Sequence, residues 1–180
     1  MASIKGFQMK SVKTPVGREG YGCLGTMYLN GKKIGTYADY GDGAMEDVVY
    51  VSKEAEQEMM KVIIAYAKEH PNEFTVQLYK ERPQQFQDEC ERFKQSYPYI
   101  PDNDITIETM ASNSIVFIVS DFLELLEMEK QYKRYVKQGY RAIGVKGNQL
   151  SAYPASWTDE KIRNSAKDQK LYMSLDDFCI

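Results

Sequence analysis

Tyr21-Gly22-Cys23-Leu24-Gly25-Thr26-Met27-Tyr28-Leu29-Asn30-Gly31-Lys32-Lys33-Ile34-Gly35-Thr36-Tyr37-Ala38-Asp39-Tyr40 reads as two strands around a two-residue turn. Asn-Gly is the strongest short-range hairpin signal, because the turn that matches strand twist needs positive φ at both central positions. Working outward, Phe7 to Lys13 supplies a strand before the hairpin, and Val48 to Val51 a short one beyond the turn at Asp42-Gly43. The pattern is a β-meander. Ser52 then caps a helix to about Glu69, with Glu54 and Glu56 at its positive end and Ala55, Met59, Val62, Ile63 and Tyr66 on one face.

Nine of the twelve glycines lie in the first 43 residues and none lies between Ala44 and Gln138, so composition divides the chain in two. The seam is expected between Glu69 and Pro83, giving parts 1–80 and 81–180. Past it, Phe74, Val76 and Leu78 alternate as a strand would, and Pro83 opens a helix carrying Phe86, Cys90, Phe93 and Tyr97. Ile105 to Met110 and Ser114 to Val119 read as a hairpin, its second arm apolar on both faces and so central in a sheet. A third helix is expected from Ser120 or Asp121, with an Asp121–Glu124 capping box, ending at Gly139. Tyr140 to Val145 and Gln149 to Tyr153 read as strands, Asp159 to Lys167 as a short helix and Leu171 to Met173 as an edge strand. The expected class is α+β: an N-terminal antiparallel β-meander with one helix, then a mixed part with a central hairpin and about three helices.

With 43% hydrophobic residues and 12% aromatics, 180 residues suffice for a sizeable core. No apolar run reaches the roughly 18 residues of a membrane span, and the first residues lack a signal-peptide stretch, so a soluble, cytoplasmic protein with no membrane partner is expected. Cys23, Cys90 and Cys179 are odd in number and widely spaced, and His70 is the one histidine, which argues against zinc, haem and a disulfide framework.

The net charge of -3 conceals a segregation along the chain. Between Pro101 and Glu129 there are seven acidic residues and no Lys or Arg, whereas from Lys130 to Lys170 ten basic residues stand against three acidic ones. On the third helix Lys130, Arg134 and Lys137 recur at i, i+4 and i+7 and share a face, with Phe122, Leu125, Leu126, Tyr132 and Val136 turned to the core. Lys133, Arg141 and Lys146 lie close enough in sequence to widen the patch, and Tyr135 and Tyr140 flank it. Cations beside aromatic rings are the pattern that contacts phosphates and stacks on bases; a solvated helix face gives the same pattern. Arg18, Tyr21, Lys32 and Lys33, around the glycine-rich hairpin, form a secondary set of partner-binding candidates.

Other motifs are weaker. Gly17-Arg18-Glu19-Gly20-Tyr21-Gly22 has the glycines of a phosphate loop but neither the Gly-x-Gly-x-x-Gly spacing nor a Gly-Lys-Ser/Thr ending, which favours a bulged strand or loop. Asp39, Asp42, Glu46 and Asp47 offer oxygen ligands for Mg²⁺ or Ca²⁺, yet Asp-Gly is also common turn chemistry. His70 at a helix end before Pro71 reads as a cap. Glu91 with Lys94 and Glu127 with Lys130 only approximate a nuclease motif and read as surface ion pairs. No catalytic residue, metal ligand or cofactor is assigned.

Gly17-x-Glu19-Gly20-Tyr21-Gly22, Asn30-Gly31-Lys32-Lys33 and Asp42-Gly43, followed by Lys137-Gln138-Gly139-Tyr140-Arg141-Ala142-Ile143, Trp157-Thr158-Asp159-Glu160-Lys161-Ile162 and Leu175-Asp176-Asp177-Phe178, give the chain a recognisable texture. It resembles small proteins carried by phages, plasmids and integrative elements of Gram-positive bacteria, among them anti-CRISPR proteins that block type II systems. The resemblance implies a non-enzymatic inhibitor whose partner is a type II CRISPR effector nuclease, its guide RNA, or both, with possible contact to DNA. Two other classes stay open: a metal-dependent nuclease or nucleotide hydrolase using Asp39, Asp42 or Glu46, and a nucleic-acid-binding accessory protein.

Overall fold

The computed structural model describes all 180 residues, in the α+β class. They form two compact units, Phe7–Val119 and Ser120–Ile180 together with Met1–Gly6. Residue 80, the expected division, lies inside a helix of the first of these.

The unit Phe7–Val119 opens with four antiparallel strands in sequence order: β1 (Phe7–Lys13), β2 (Cys23–Leu29), β3 (Lys32–Asp39) and β4 (Asp47–Tyr50). Asn30 and Gly31 have φ of 49° and 78°, as the hairpin signal requires. Ser52 caps α1 (Lys53–Glu69) by accepting from the Ala55 amide, and the helix lays Met59, Met60, Ile63 and Ile64 into the core against β3 and β4. The meander and α1 stand as expected.

Residues 73–81 are α2 (Glu73–Glu81), not a strand. The Asn72 side chain accepts from the amide and hydroxyl of Thr75, an N-cap that starts a helix where a five-residue alternation suggested extended chain. Tyr79 is its buried residue, while Phe74 points to solvent. Pro83 opens α3 (Pro83–Ser96) as expected.

The expected central hairpin is also helical. Thr106 and Thr109 cap each other at the start of α4 (Ile107–Met110), and the buried Thr109 hydroxyl donates to the Asp104 carbonyl at 2.7 Å. Ile115 to Val119, expected as a buried strand, forms the first turn of α5 (Ile115–Lys137), which therefore starts five residues before Ser120 and has no capping box at Asp121. An apolar run fits a buried strand and a buried helix equally; this one continues without a breaker into Phe122 and Leu125, and helix propagation is the outcome. Ser112, in the turn before α5, accepts the Asn72 amide at 2.7 Å and so ties this turn to the cap of α2.

In the unit Ser120–Ile180, α5 ends before Gly139, whose φ is 89°, and is followed by β5 (Tyr140–Lys146), β6 (Gln149–Pro154), α6 (Asp159–Ser165) and β7 (Lys170–Tyr172). The antiparallel sheet has the order β6-β5-β7. Ala142, Tyr153, Ile162 and Ala166 make its core, with Trp157, Leu171 and Met173 packed around them. Phe178 is fully buried, stacked on Tyr172 at 4.6 Å and packed on Tyr132 at 5.6 Å. Burial of one such ring contributes roughly 1.5–3 kcal/mol. Residues 1–6 join this unit through backbone hydrogen bonds between Ser3 and both Phe178 and Ile180. No helix is long and apolar enough to cross a membrane.

Candidate functional site

Helix α5 positions the main cationic candidates. Phe122, Leu125 and Tyr132 face inward as expected, and Val136, expected with them, is exposed because the helix ends one residue later. The buried stripe instead includes a carboxylate: Glu129 is 2% exposed, accepts the Ala2 amide at 2.9 Å, and sits 3.2 Å from the α-amino group of Met1 and 2.6 Å from Lys133 Nζ. Burial alone would push its carboxyl up; the Lys133 ammonium, the Ala2 amide and the α-amino group outweigh burial and hold it below the ordinary carboxylate range.

Beside this stripe Lys130, Lys133, Arg134, Lys137 and Gln138 line an open groove of about 460 Å³. Its cations are not equivalent. Lys130 is 3.4 Å from Glu127 and Lys133 is bound to Glu129, whereas Arg134 and Lys137 have no ion-pair partner. Both lie in the last turn of α5, where a cation also meets the negative end of the helix dipole.

Arg141 and Lys146 do not widen this face as free charges. Arg141 Nη2 is 2.7 Å from Asp159 and Lys146 Nζ is 3.7 Å from Asp168. Lys146 is also at the far end of β5, about 20 Å from Tyr140 at the rise of an extended strand. Tyr135 and Tyr140 meet edge to face at 5.5 Å and are half-buried, so each ring already engages the other.

The secondary set separates. Lys32 and Lys33 are exposed beside the Asn30-Gly31 turn, while Arg18 and Tyr21 belong to a loop at the Asp39 end of β3, about 23 Å away along the strand. That loop, residues 14–22, is backbone-packed on residues 39–43. The Gly17 amide donates to Gly20, the Gly22 amide to Pro15 and the Glu19 amide to Gly41, and the Gly41 amide donates to Asp39 Oδ1 at 2.8 Å. These donors are engaged within the protein and do not form an open phosphate cradle.

The carboxylates here serve turns. Asp39 Oδ1 accepts from Gly41 and Asp42 Oδ1 from Ala44 at 3.1 Å, and no group of three or more His, Cys, Asp or Glu side chains is placed to hold a metal ion. His70 is the C-cap of α1 and stacks on Tyr66 at 4.3 Å. Burial, then the nearby Asp39 carboxylate, pushes the Cys23 thiol up to about 11; burial also raises Cys90, and Cys179 is exposed. A cluster missed in the sequence joins Tyr50, Tyr97 and Tyr99 near Glu56, where burial first and neighbouring charge second keep the phenols protonated.

Sequence reasoning also missed Val16, Tyr40 and Met45, which the two joined loops display with Tyr21 on their surface. No protein-family model, no curated protein and no solved structure matches the chain.

Proposed function

We propose that this chain is a non-catalytic inhibitor that binds the RNA-guided nuclease of a type II CRISPR system, or its guide-bound complex, and acts in the bacterial cytoplasm. The observation that carries the reading is the cationic groove on α5, in which Arg134 and Lys137 are unpaired and reach a surface that a nucleic-acid backbone can approach. The class of target rests on the resemblance of the glycine-rich and C-terminal segments. Guide RNA bound to a nuclease presents such a backbone, so the groove supplies an attachment to the complex that needs no base recognition.

A nucleic-acid-binding accessory protein would use the same groove. The two are separated by immobilising the chain and offering type II nuclease alone, guide-loaded nuclease and free guide RNA. Retention of the guide-loaded complex above free RNA is the expected result. Retention of RNA alone, with no gain from the nuclease, overturns inhibition of the complex in favour of the accessory protein.

A further inference from the structure

We propose that the joined loops, residues 14–22 and 39–47, are a second docking surface, and that its occupant is a protein face with an apolar hollow and a basic rim. The inference rests on the binding-protein reading above and names the chemistry of the partner's protein surface.

Four large apolar side chains stand out from these loops: Val16 is 74% exposed, Tyr21 81%, Tyr40 56% and Met45 92%. Single exposed hydrophobics are ordinary on any protein; four on two loops that are tied together are not scattered. Val16 and Tyr21 are paired by an antiparallel bridge, which places them side by side. Tyr is a frequent anchor at protein interfaces and Met adapts its shape to a partner.

The loops hold this display open. Residues 17, 19, 22 and 41 use their amides within the pair, and the Ala44 amide is bound to Asp42. The Gly22 and Gly41 backbones lie so close to the opposing loop that neither carries room for a side chain. A surface ordered before binding loses little conformational entropy on docking.

Charge selects the partner. Five carboxylates, Glu19, Asp39, Asp42, Glu46 and Asp47, stand in these two segments against one cation, Arg18. Arg18 itself is held by Glu19 at 3.6 Å and by the Asp42 carbonyl at 3.3 Å. A phosphate backbone is repelled by such a field, whereas a lysine- and arginine-rimmed protein face is attracted. This surface therefore reads protein, while the α5 groove reads nucleic acid.

The test is a titration of a panel of guide-loaded type II nucleases with the parent chain, with Tyr21→Ser/Met45→Ser and with Glu19→Lys/Asp42→Lys. Tyr21 and Met45 are outside the core, and unchanged thermal melting checks that the fold is kept. The inference expects about thirtyfold weaker binding for Tyr21→Ser/Met45→Ser, the loss of an interface anchor. Weaker binding is also expected on charge reversal. If the parent binds and both variants bind equally well, the docking surface is refuted and the α5 reading survives. If the parent binds no nuclease of the panel, the inhibitor reading falls, and this inference with it.

Discussion

Gly22, next to the Cys23–Asp39 pair that closes the open end of the β2–β3 hairpin, lies so close to Asp39 that a Cβ on Gly22 would be 2.1 Å from the Asp39 carbonyl oxygen. Backbone, unlike the end of a flexible side chain, cannot yield to that contact. Gly22→Ala is therefore expected to force the loops apart and to cost roughly 2 kcal/mol, read from the urea midpoint. A midpoint within error of the parent would show that the loops are not locked.

Much of the fold was legible because its signals are local. Asn30-Gly31, Ser52, Pro83 and Gly139 each mark a boundary by their own backbone or capping chemistry, and those boundaries stand where they were expected. Residues 105–119 were misread because Ile115 to Val119 are compatible with strand and helix alike, and the decision lay with what the run continues into. The Asn72 cap was a local signal, visible in the sequence, and it outweighs the alternation at Phe74, Val76 and Leu78.

At the site, the helical spacing of the α5 cations was legible, and so was the Glu127–Lys130 pair; Glu129 with Lys133, four residues apart, was within reach of the same rule. The pairing of Arg141 with Asp159 and of Lys146 with Asp168 was not, since those contacts form only when β5 meets the segments after β6. The joined loops likewise depend on contacts between segments some 20 residues apart, with glycines in both as the only hint.

Glu129 is expected to make the stability of its unit depend on acid. Its folded carboxyl titrates below the unfolded value, so its contribution is complete above the unfolded pKa of about 4.3 and is lost as the pH falls through the folded one. At pH 7, Glu129→Gln should lower stability by roughly 2–3 kcal/mol, because Lys133 and the Ala2 amide lose a buried anion. The difference between parent and variant should begin to shrink near pH 5 and vanish in stronger acid. A difference independent of pH would contradict the assignment of this carboxylate.

The thiols should react in the order of their exposure. Cys179 is expected to be alkylated first at pH 8, Cys90 more slowly, and Cys23 only on unfolding, since it is buried and its thiol is pushed up to about 11. Mass spectrometry of partially labelled protein reads the order directly, and early labelling of Cys23 would place it outside the sheet interior.

For nucleic acid, the unequal pairing of the α5 cations predicts unequal effects. Arg134→Glu/Lys137→Glu should reduce the dependence of log binding constant on log salt by about two, whereas Arg141→Ala/Lys146→Ala should leave it nearly unchanged. Equal effects from the two pairs would mean that the ion pairs to Asp159 and Asp168 do not survive binding.

The central claim, inhibition by binding and not by catalysis, is tested most directly by the stoichiometry of inhibition. Guide-loaded type II nuclease at fixed concentration is titrated with the chain, and cleavage of target DNA is followed after a fixed time. The account predicts that inhibition, at a nuclease concentration well above the dissociation constant, reaches completion near one chain per complex and does not deepen with longer preincubation. Complete inhibition at a small fraction of one equivalent, growing with preincubation time, or no inhibition of any type II nuclease, would contradict it.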